Sequence, residues 1–315
     1  MIDILIPTYN REQLLIQNLR LLDELIKEEG LGGNFRLLVS DNCSQDGTAN
    51  ALEDIRKEID LEMTVFRQQE NIGLERNVVF VLEHASSEII MYLGDDDYLP
   101  KGYLSFVVDT IRNDKAASAI VSGVAGFYAD GAVKPGRIKS FSTKKYSPGF
   151  ISALALSHLG HQLSGLVFRR EGLVKSYLEA ERYRNLYPFI YFLGFNAMRG
   201  TSYYAPKYKV MVSQSNTKDW RYDDSGILSE IFRNFHILFP GDPFKRLLLC
   251  MRMMLKQGWR LRVGDSPLLA LKAMRHLFSS KDVDPMVKLS LIPLYPFLYA
   301  KKPAYYLYRK IFLNQ

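Results

Sequence analysis

Over the first hundred residues, apolar positions switch between two spacings. Short runs rich in Ile, Leu and Val occur at 2–7, 36–40, 61–67 and 89–93. They are too short for helices and read as buried strands. Between them, Leu14, Leu15, Leu19, Leu22, Leu25 and Ile26 recur every three or four residues and predict a helix over 11–29. Gly30, Gly32 and Gly33 end it. That glycine cluster follows a helix rather than a strand, so it is not a dinucleotide fingerprint. A second helix runs from the turn Ser44-Gln45-Asp46-Gly47-Thr48 to residue 59, and a third spans 74–85. The order β-α-β-α-β-α-β with short loops predicts a parallel sheet with right-handed crossovers.

Further along, 104–111 reads as a helix, 119–122 as a strand, and 123–139 as a hairpin or flap marked by Asp-Gly and Pro-Gly. A helix over 150–159, a buried strand over 165–168, a mostly helical stretch over 172–197 broken near Pro188, and a strand over 203–212 follow. After Lys218 the texture changes to helices at 227–239, 243–257, 267–278 and 285–298, several opening near proline.

Polar side chains collect where the early strands end: Thr8-Tyr9-Asn10, Asp41-Asn42, Asn71 with Arg76, and Asp95-Asp96-Asp97. In a parallel sheet these loops open on one edge, where ligands bind. Three adjacent carboxylates repel one another, and burying them is costly without a cation. Two readings fit the run: a divalent cation shared with a phosphate-bearing substrate, or a solvated acidic turn before Pro100 and Gly102.

Composition narrows the class. The chain has 315 residues, 47% hydrophobic and 24% charged, enough for a substantial core. Two distant cysteines, Cys43 and Cys250, give neither a disulfide framework nor zinc spacing, so a reducing compartment is expected. The first residues form a strand pattern without a basic leader, so no signal peptide is expected. No apolar run reaches the roughly 20 residues that span a bilayer. The net charge is +7, unevenly spread: residues 241–315 hold fourteen Lys and Arg against four Asp, a balance of +10, leaving −3 for the rest. A basic, Tyr-rich tail on a near-neutral body points to an anionic partner surface. The basic residues lack any helix-turn-helix or RNA-recognition pattern, so no nucleic-acid partner is expected.

Pro7-Thr8-Tyr9-Asn10-Arg11, the run from Ser40-Asp41-Asn42 to Asp46-Gly47-Thr48, Asn71-Ile72-Gly73 with Arg76-Asn77, and Gly94-Asp95-Asp96-Asp97 stand in one order. In that order and rough spacing they resemble family 2 glycosyltransferases, over roughly residues 1–110. The Gly-Asp-Asp-Asp variant looks most like the abequosyltransferase-like branch of bacterial surface-polysaccharide enzymes. The resemblance implies an α/β GT-A fold, a Rossmann-like, mostly parallel sheet flanked by helices, and transfer with inversion. Residues 1–217 would form the GT-A domain, in which 1–112 bind the nucleotide and 113–217 face the acceptor. Residues 218–315 would form the helical C-terminal region.

The same resemblance implies roles for named residues. Pro7, Thr8, Tyr9 and Asn10 bracket the nucleobase with Asp41, which accepts uracil N3–H or a related contact, and Asp46 lies in the adjoining turn. Asn71, Gly73 and Arg76 reach the nucleotide. Mg²⁺ or Mn²⁺ bridges the two donor phosphates. Gly94 stands where an aspartate is common, so the roles are assigned as Asp95 toward the ribose and metal, Asp97 to the metal, and Asp96 exchangeable. The catalytic base is expected at Glu181, with Asp219 and His161 as rivals. The partners are a nucleoside-diphosphate sugar and a glycan acceptor, which a polyprenyl diphosphate would carry at the inner face of the plasma membrane. The basic C-terminal helices would meet that anionic surface from the cytoplasm. A nucleotidyltransferase and a non-catalytic sugar-nucleotide binder are the competing readings.

Overall fold

The computed structural model describes residues 1–128, 132–135, 141–214, 227–263 and 266–312, with side chains to residue 300. The chain divides into two compact units: Met1–Glu181 with Pro188–Thr217, and Arg182–Tyr187 with Lys218–Gln315.

The first unit opens with β1 (Ile2–Thr8), α1 (Glu12–Glu28), β2 (Phe35–Asp41), α2 (Thr48–Glu58), β3 (Met63–Arg67), α3 (Leu74–Glu83) and β4 (Ile89–Tyr92). β1 pairs in parallel with β2 and with β4, and β2 pairs in parallel with β3. All seven residues of β1 are buried. Ile2, Ile4 and Ile6 share a core with Leu15, Leu19, Leu22 and Ile26 of α1 and with Leu52 and Ile55 of α2. On the other face lies α3, with Val78 and Val81 fully buried. Each such buried side chain contributes about 1.5–3 kcal/mol. The one charge inside β1, Asp3, is paired with Arg36 at 2.8 Å and capped by the Ser86 and Ser87 amides at 2.8 and 2.9 Å.

The second half of this unit contains α4 (Tyr103–Asn113), β5 (Ala117–Phe127), β6 (Val133–Pro135), β7 (Lys144–Tyr146), α5 (Phe150–Leu156), β8 (Leu166–Arg169), α6 (Leu173–Leu178), α7 (Pro188–Arg199) and β9 (Thr201–Ser213). The sheet order is β3-β2-β1-β4-β8-β5-β9-β7, with β6 on β5. β8, whose direction the sequence left open, inserts antiparallel between β4 and β5, so the sheet is mixed. The stretch beginning at Gly123 does not start a flap: β5 runs on to Phe127, held by parallel pairing to β9 across a register shift at Ser122/Gly123. Only its far end turns back, with Ala125 opposite Pro135. The remaining stretches of that expected flap, 129–131 and 136–140, lie outside the described residues. The helix expected over 150–159 is α5 followed by a 3₁₀ turn, Ser157–His161.

The second unit holds α8 (Leu228–Leu238), α9 (Pro243–Lys256), α10 (Pro267–Ser279) and α11 (Pro285–Phe312). α9 and α10 start as their sequences dictate: Asp242 and Ser266 cap them through the Lys245 and Leu269 amides, each with proline in the first turn. α11 continues past the expected end at residue 298 and passes through Pro293, Pro296 and Pro303. Within this unit Arg246 pairs with Asp284 at 2.7 Å, tying α9 to the start of α11.

Candidate active site at the carboxyl ends of the parallel strands

Parallel pairing sets Thr8 opposite Asp41. The Asn42 amide donates to the Thr8 carbonyl at 2.9 Å, and Thr8 Oγ1 donates to Asp95 Oδ2 at 2.8 Å. The end of β1 is therefore joined to that of β2 through the backbone and to the turn after β4 through side chains. Pro7 is buried in β1, while Tyr9 and Asn10 are half-buried beyond it. Asn10 takes a positive φ of 52°, which asparagine tolerates better than most residues. It is fixed by Ser44 Oγ accepting its amide and by its own Oδ1 accepting the Gln45 amide, both at 2.8 Å.

Asp41 is 1% exposed. Its Oδ1 accepts the Ser44 amide at 3.0 Å and the Ser44 hydroxyl. Its Oδ2 is buried and has no hydrogen-bond partner among the described residues. The Arg67 Nε stands 3.7 Å away, beyond hydrogen-bond reach. Asp46, in contrast, is fully engaged. It accepts the Glu12 amide at 3.2 Å, the Thr48 amide at 3.0 Å and the Thr48 hydroxyl, and so joins the starts of α1 and α2. Partial burial raises its carboxyl, but these bonds outweigh that and hold it below the usual range. Asn71 and Gly73 form the exposed entry to α3: Asn71 Oδ1 accepts from Asn42 Nδ2 at 2.8 Å and from the Gly73 amide at 2.9 Å. Arg76 is exposed on the first turns of α3.

The aspartate turn is clamped from both sides. Asn18 Nδ2 donates to the Gly94 carbonyl at 2.7 Å from inside α1. Tyr98 and Met211 exchange backbone bonds of 2.9 and 2.8 Å, pinning the turn to β9. Ser164 Oγ accepts the Gly94 amide at 2.9 Å and donates to Asp97 Oδ2, while Asp97 Oδ1 accepts the Ser213 amide at 3.0 Å. Asp97 is 4% exposed, so its carboxylate is turned into the protein, contrary to the metal role expected for it. Gly94 also has a reason: a Cβ there would lie 2.9 Å from Asp97 Oδ2 and 3.0 Å from Ser164 Oγ. An aspartate in its place would displace the clamp.

Asp95 and Asp96 remain half-exposed at the rim. Burial first, and then repulsion from Asp96, push the Asp95 carboxyl up to about 7; the Thr8 hydroxyl and Arg11 oppose this. Among the described residues, no group of three or more His, Cys, Asp or Glu side chains could hold a metal ion unaided. Two adjoining carboxylates, with the proton affinity of Asp95 raised, suit a hard divalent cation that takes its other oxygens from phosphate and water. The donor set therefore fits the implied cofactor as a shared site.

The three base candidates separate. Asp219 lies outside the described residues. Glu181 is exposed and opens a 3₁₀ turn, Glu181–Tyr183. His161 is half-buried, three residues before the Ser164 that touches Asp97. Its Nδ1 lies 2.9 Å from the His158 carbonyl, which can only accept, so Nδ1 carries a proton in that bond. Asn18, Ser213 and the charge of Arg11 were not assigned to the site from sequence, and Ser164 only to the acceptor side. Asn18 was detectable as a polar residue on the buried stripe of α1. Ser213 acts through its backbone, which no side-chain pattern reports.

Parallel strands delivering carboxylates to one edge, with a mixed-sheet second half, define a GT-A-fold protein. A family model described as Glycosyl transferase family 2 matches residues 3–173, and the chain belongs to that family. The Staphylococcus aureus poly(ribitol-phosphate) beta-N-acetylglucosaminyltransferase TarS is 30% identical over 99 residues, 31% of this chain and 16% of that protein. The Salmonella typhimurium abequosyltransferase RfbV is 29% identical over 107 residues, 34% of this chain and 31% of that one. The chain thus matches a third or less of these relatives' own lengths. The crystal structure of TarS residues 1–349 in complex with UDP-GlcNAc superposes with a TM-score of 0.64 at 17% identity, covering 91% of this chain and 82% of that one. The Pyrobaculum calidifontis mannosyltransferase PcManGT, in complex with GDP-Man and Mn²⁺, gives 0.57 at 18% identity, covering 96% and 82%.

Proposed function

We propose that this protein transfers a sugar from a nucleoside-diphosphate donor to a glycan acceptor, inverting the anomeric centre with Mg²⁺ or Mn²⁺ as cofactor. The observation that carries the reading is Asp41 Oδ2, a buried acceptor without a hydrogen-bond partner among the described residues though within ion-pair range of Arg67, on the same rim as Asp95 and Asp96. An unmatched buried carboxylate oxygen costs about 1–3 kcal/mol, recovered when a ring N–H donates to it. Uracil N3–H is the simplest such donor. A uridine-diphosphate sugar bound to TarS supports that choice, and GDP-Man bound to PcManGT supports the broader class.

Thr8 and Asp95 stand toward the ribose. Because Asp97 is spent inside the protein, Asp96 with Asp95 would hold the cation. When bound, the cation neutralises charge on the departing nucleoside diphosphate. Arg76 offers its exposed guanidinium to the phosphates. His161 Nε2 takes the proton from the acceptor hydroxyl as its oxygen bonds to the sugar C1, and the C1–O bond to the diphosphate breaks. Glu181 is the second candidate for that base. The acceptor is a lipid-linked surface-polysaccharide precursor, met on the inner face of the plasma membrane through the basic helical region; the name of a Campylobacter jejuni GalNAc(5)-diNAcBac-PP-undecaprenol beta-1,3-glucosyltransferase, 28% identical over 104 residues, supports the lipid-linked acceptor.

Melting curves with UDP-, GDP- and CDP-sugars, with and without Mn²⁺, test the donor site. A ligand at about 100 times its Kd stabilises by about 2.7 kcal/mol. The expected result is a metal-dependent rise for one base, abolished by Asp41→Ala. No rise with any nucleotide would remove the reading.

A further inference from the structure

The second unit carries a face that its own core does not use. On α11, Val287, Leu291, Leu294 and Tyr295 are buried, yet Leu289, Ile292 and Phe297 on the other side are 66%, 60% and 56% exposed. On α10, Ala270, Ala273 and Leu277 are buried while Leu268 and Leu271 are 63% and 56% exposed. Residues of both helices line a groove of about 430 Å³ whose walls are almost wholly apolar. A helix that is apolar on its outer as well as its inner side belongs in a hydrophobic environment. No helix among the described residues is long and apolar enough to cross a membrane, so α11 would lie along one rather than span it.

Charge selects the occupant. α10 and α11 contain seven Lys and Arg, Lys272, Arg275 and Lys288 among them, and neither helix contains an Asp or Glu. Between the two helices, Asp282 and Asp284 are ion-paired with Arg233 and Arg246, each at 2.7 Å. A second copy of this face would bring like charges together, which disfavours self-association. An anionic bilayer surface supplies both phosphates for the cations and hydrocarbon for the apolar side chains.

We propose that α10 and α11 form an insertion face. In it Leu268, Leu271, Leu289, Ile292 and Phe297 enter the acyl boundary of an anionic bilayer, and the flanking Lys and Arg hold lipid phosphates. This deepens the membrane location within the proposed function and rests on it: attachment is by burial of apolar side chains, not by charge alone.

Co-flotation of the full chain with phosphatidylglycerol/phosphatidylcholine vesicles at low and high salt tests it. The wild type is expected to float in both, with only a fraction of the binding lost to salt, because charge is screened and apolar insertion is not. Leu289→Glu/Ile292→Glu should cut high-salt binding at least tenfold and leave the melting temperature unchanged, since both side chains face outward. Leu268→Glu, on the other helix, repeats the test independently. Lys272→Gln/Arg275→Gln should weaken low-salt capture several-fold and spare the salt-resistant fraction. Complete release of the wild type by salt, with Leu289→Glu/Ile292→Glu floating as well as wild type, would overturn insertion while leaving charge-driven attachment standing. No flotation at low salt would remove the membrane location itself. A wild-type dimer in sedimentation that Leu289→Glu/Ile292→Glu dissociates would reassign the face to self-association and overturn the proposal.

Discussion

The strand-end rim of the first unit and the α10–α11 face of the second are built by opposite rules. At the rim nearly every polar atom is committed: Asp46 and Asp97 accept several bonds each, and Asn42 and Asn71 bond to each other. In the proposed function recognition falls to a few groups, Asp41 Oδ2 and the half-buried carboxylates of Asp95 and Asp96. On the helical face what is left over is mainly apolar area edged with positive charge. Small ligands are read by a few uncommitted atoms held rigidly. An extended surface is met by area, and geometry matters less.

If the rim works by a few groups, substitutions there have large, local effects. Asp96→Asn should lower kcat by about 10²–10³-fold, the loss typical of removing one stabilising charge or donor from a reaction centre, with vesicle binding unchanged. Retained turnover would put the cation site elsewhere. Next, His161→Gln should reduce kcat by about 10²-fold with donor affinity intact, whereas Glu181→Gln stays near wild type. The reverse ranking would return the base to Glu181.

Asp97→Ala sharpens the contrast within the aspartate run. It leaves the Ser213 amide and the Ser164 hydroxyl without their acceptor, each buried group costing about 1–3 kcal/mol, so the melting temperature should drop clearly. An unchanged melting curve with lost metal affinity would instead give Asp97 back its role at the cation. The smallest effect is in pH. The Asp95 carboxyl, raised to about 7 in the fold, titrates near ~3.9 in the unfolded chain. Its folded form favours the proton, so that stabilisation is complete below ~3.9 and is lost as pH rises through about 7. The metal-free melting temperature should therefore decline across neutral pH, and Asp95→Asn should flatten that slope. Mn²⁺ affinity should move the other way, rising through the same range as the carboxylate forms.

Much of the first unit was legible because local signals agreed with the fold. The buried runs, the helical stripe from Leu15 to Ile26 and the polar ends all followed from spacing, and β1 to β4 pair as that spacing predicts. β8 was foreseen as a strand but not its direction, since antiparallel insertion depends on long-range pairing that a four-residue segment does not encode. The extension of β5 was hidden by Gly123 and Gly126, which read as turn residues. In the fold a Cβ at Gly123 would lie 2.4 Å from the Pro206 carbonyl oxygen, so this glycine permits close strand approach. Within the aspartate run the composition was plain and the orientation was not. Which carboxylate faces inward is decided by Ser164 and Ser213, 67 and 116 residues away.

The placement of β8 bears on how the chain can be divided. β4 is flanked by β1 on one side and by a strand from residues 166–169 on the other. A fragment ending after α4 would carry every aspartate of the run yet leave β4 as a hydrophobic edge strand, paired to β1 alone. Such a piece should stick to itself rather than bind nucleotide. During synthesis, too, the sheet beside the aspartate turn is completed only after residue 169 has emerged, which makes the downstream strand a gatekeeper of assembly as well as a wall of the sheet.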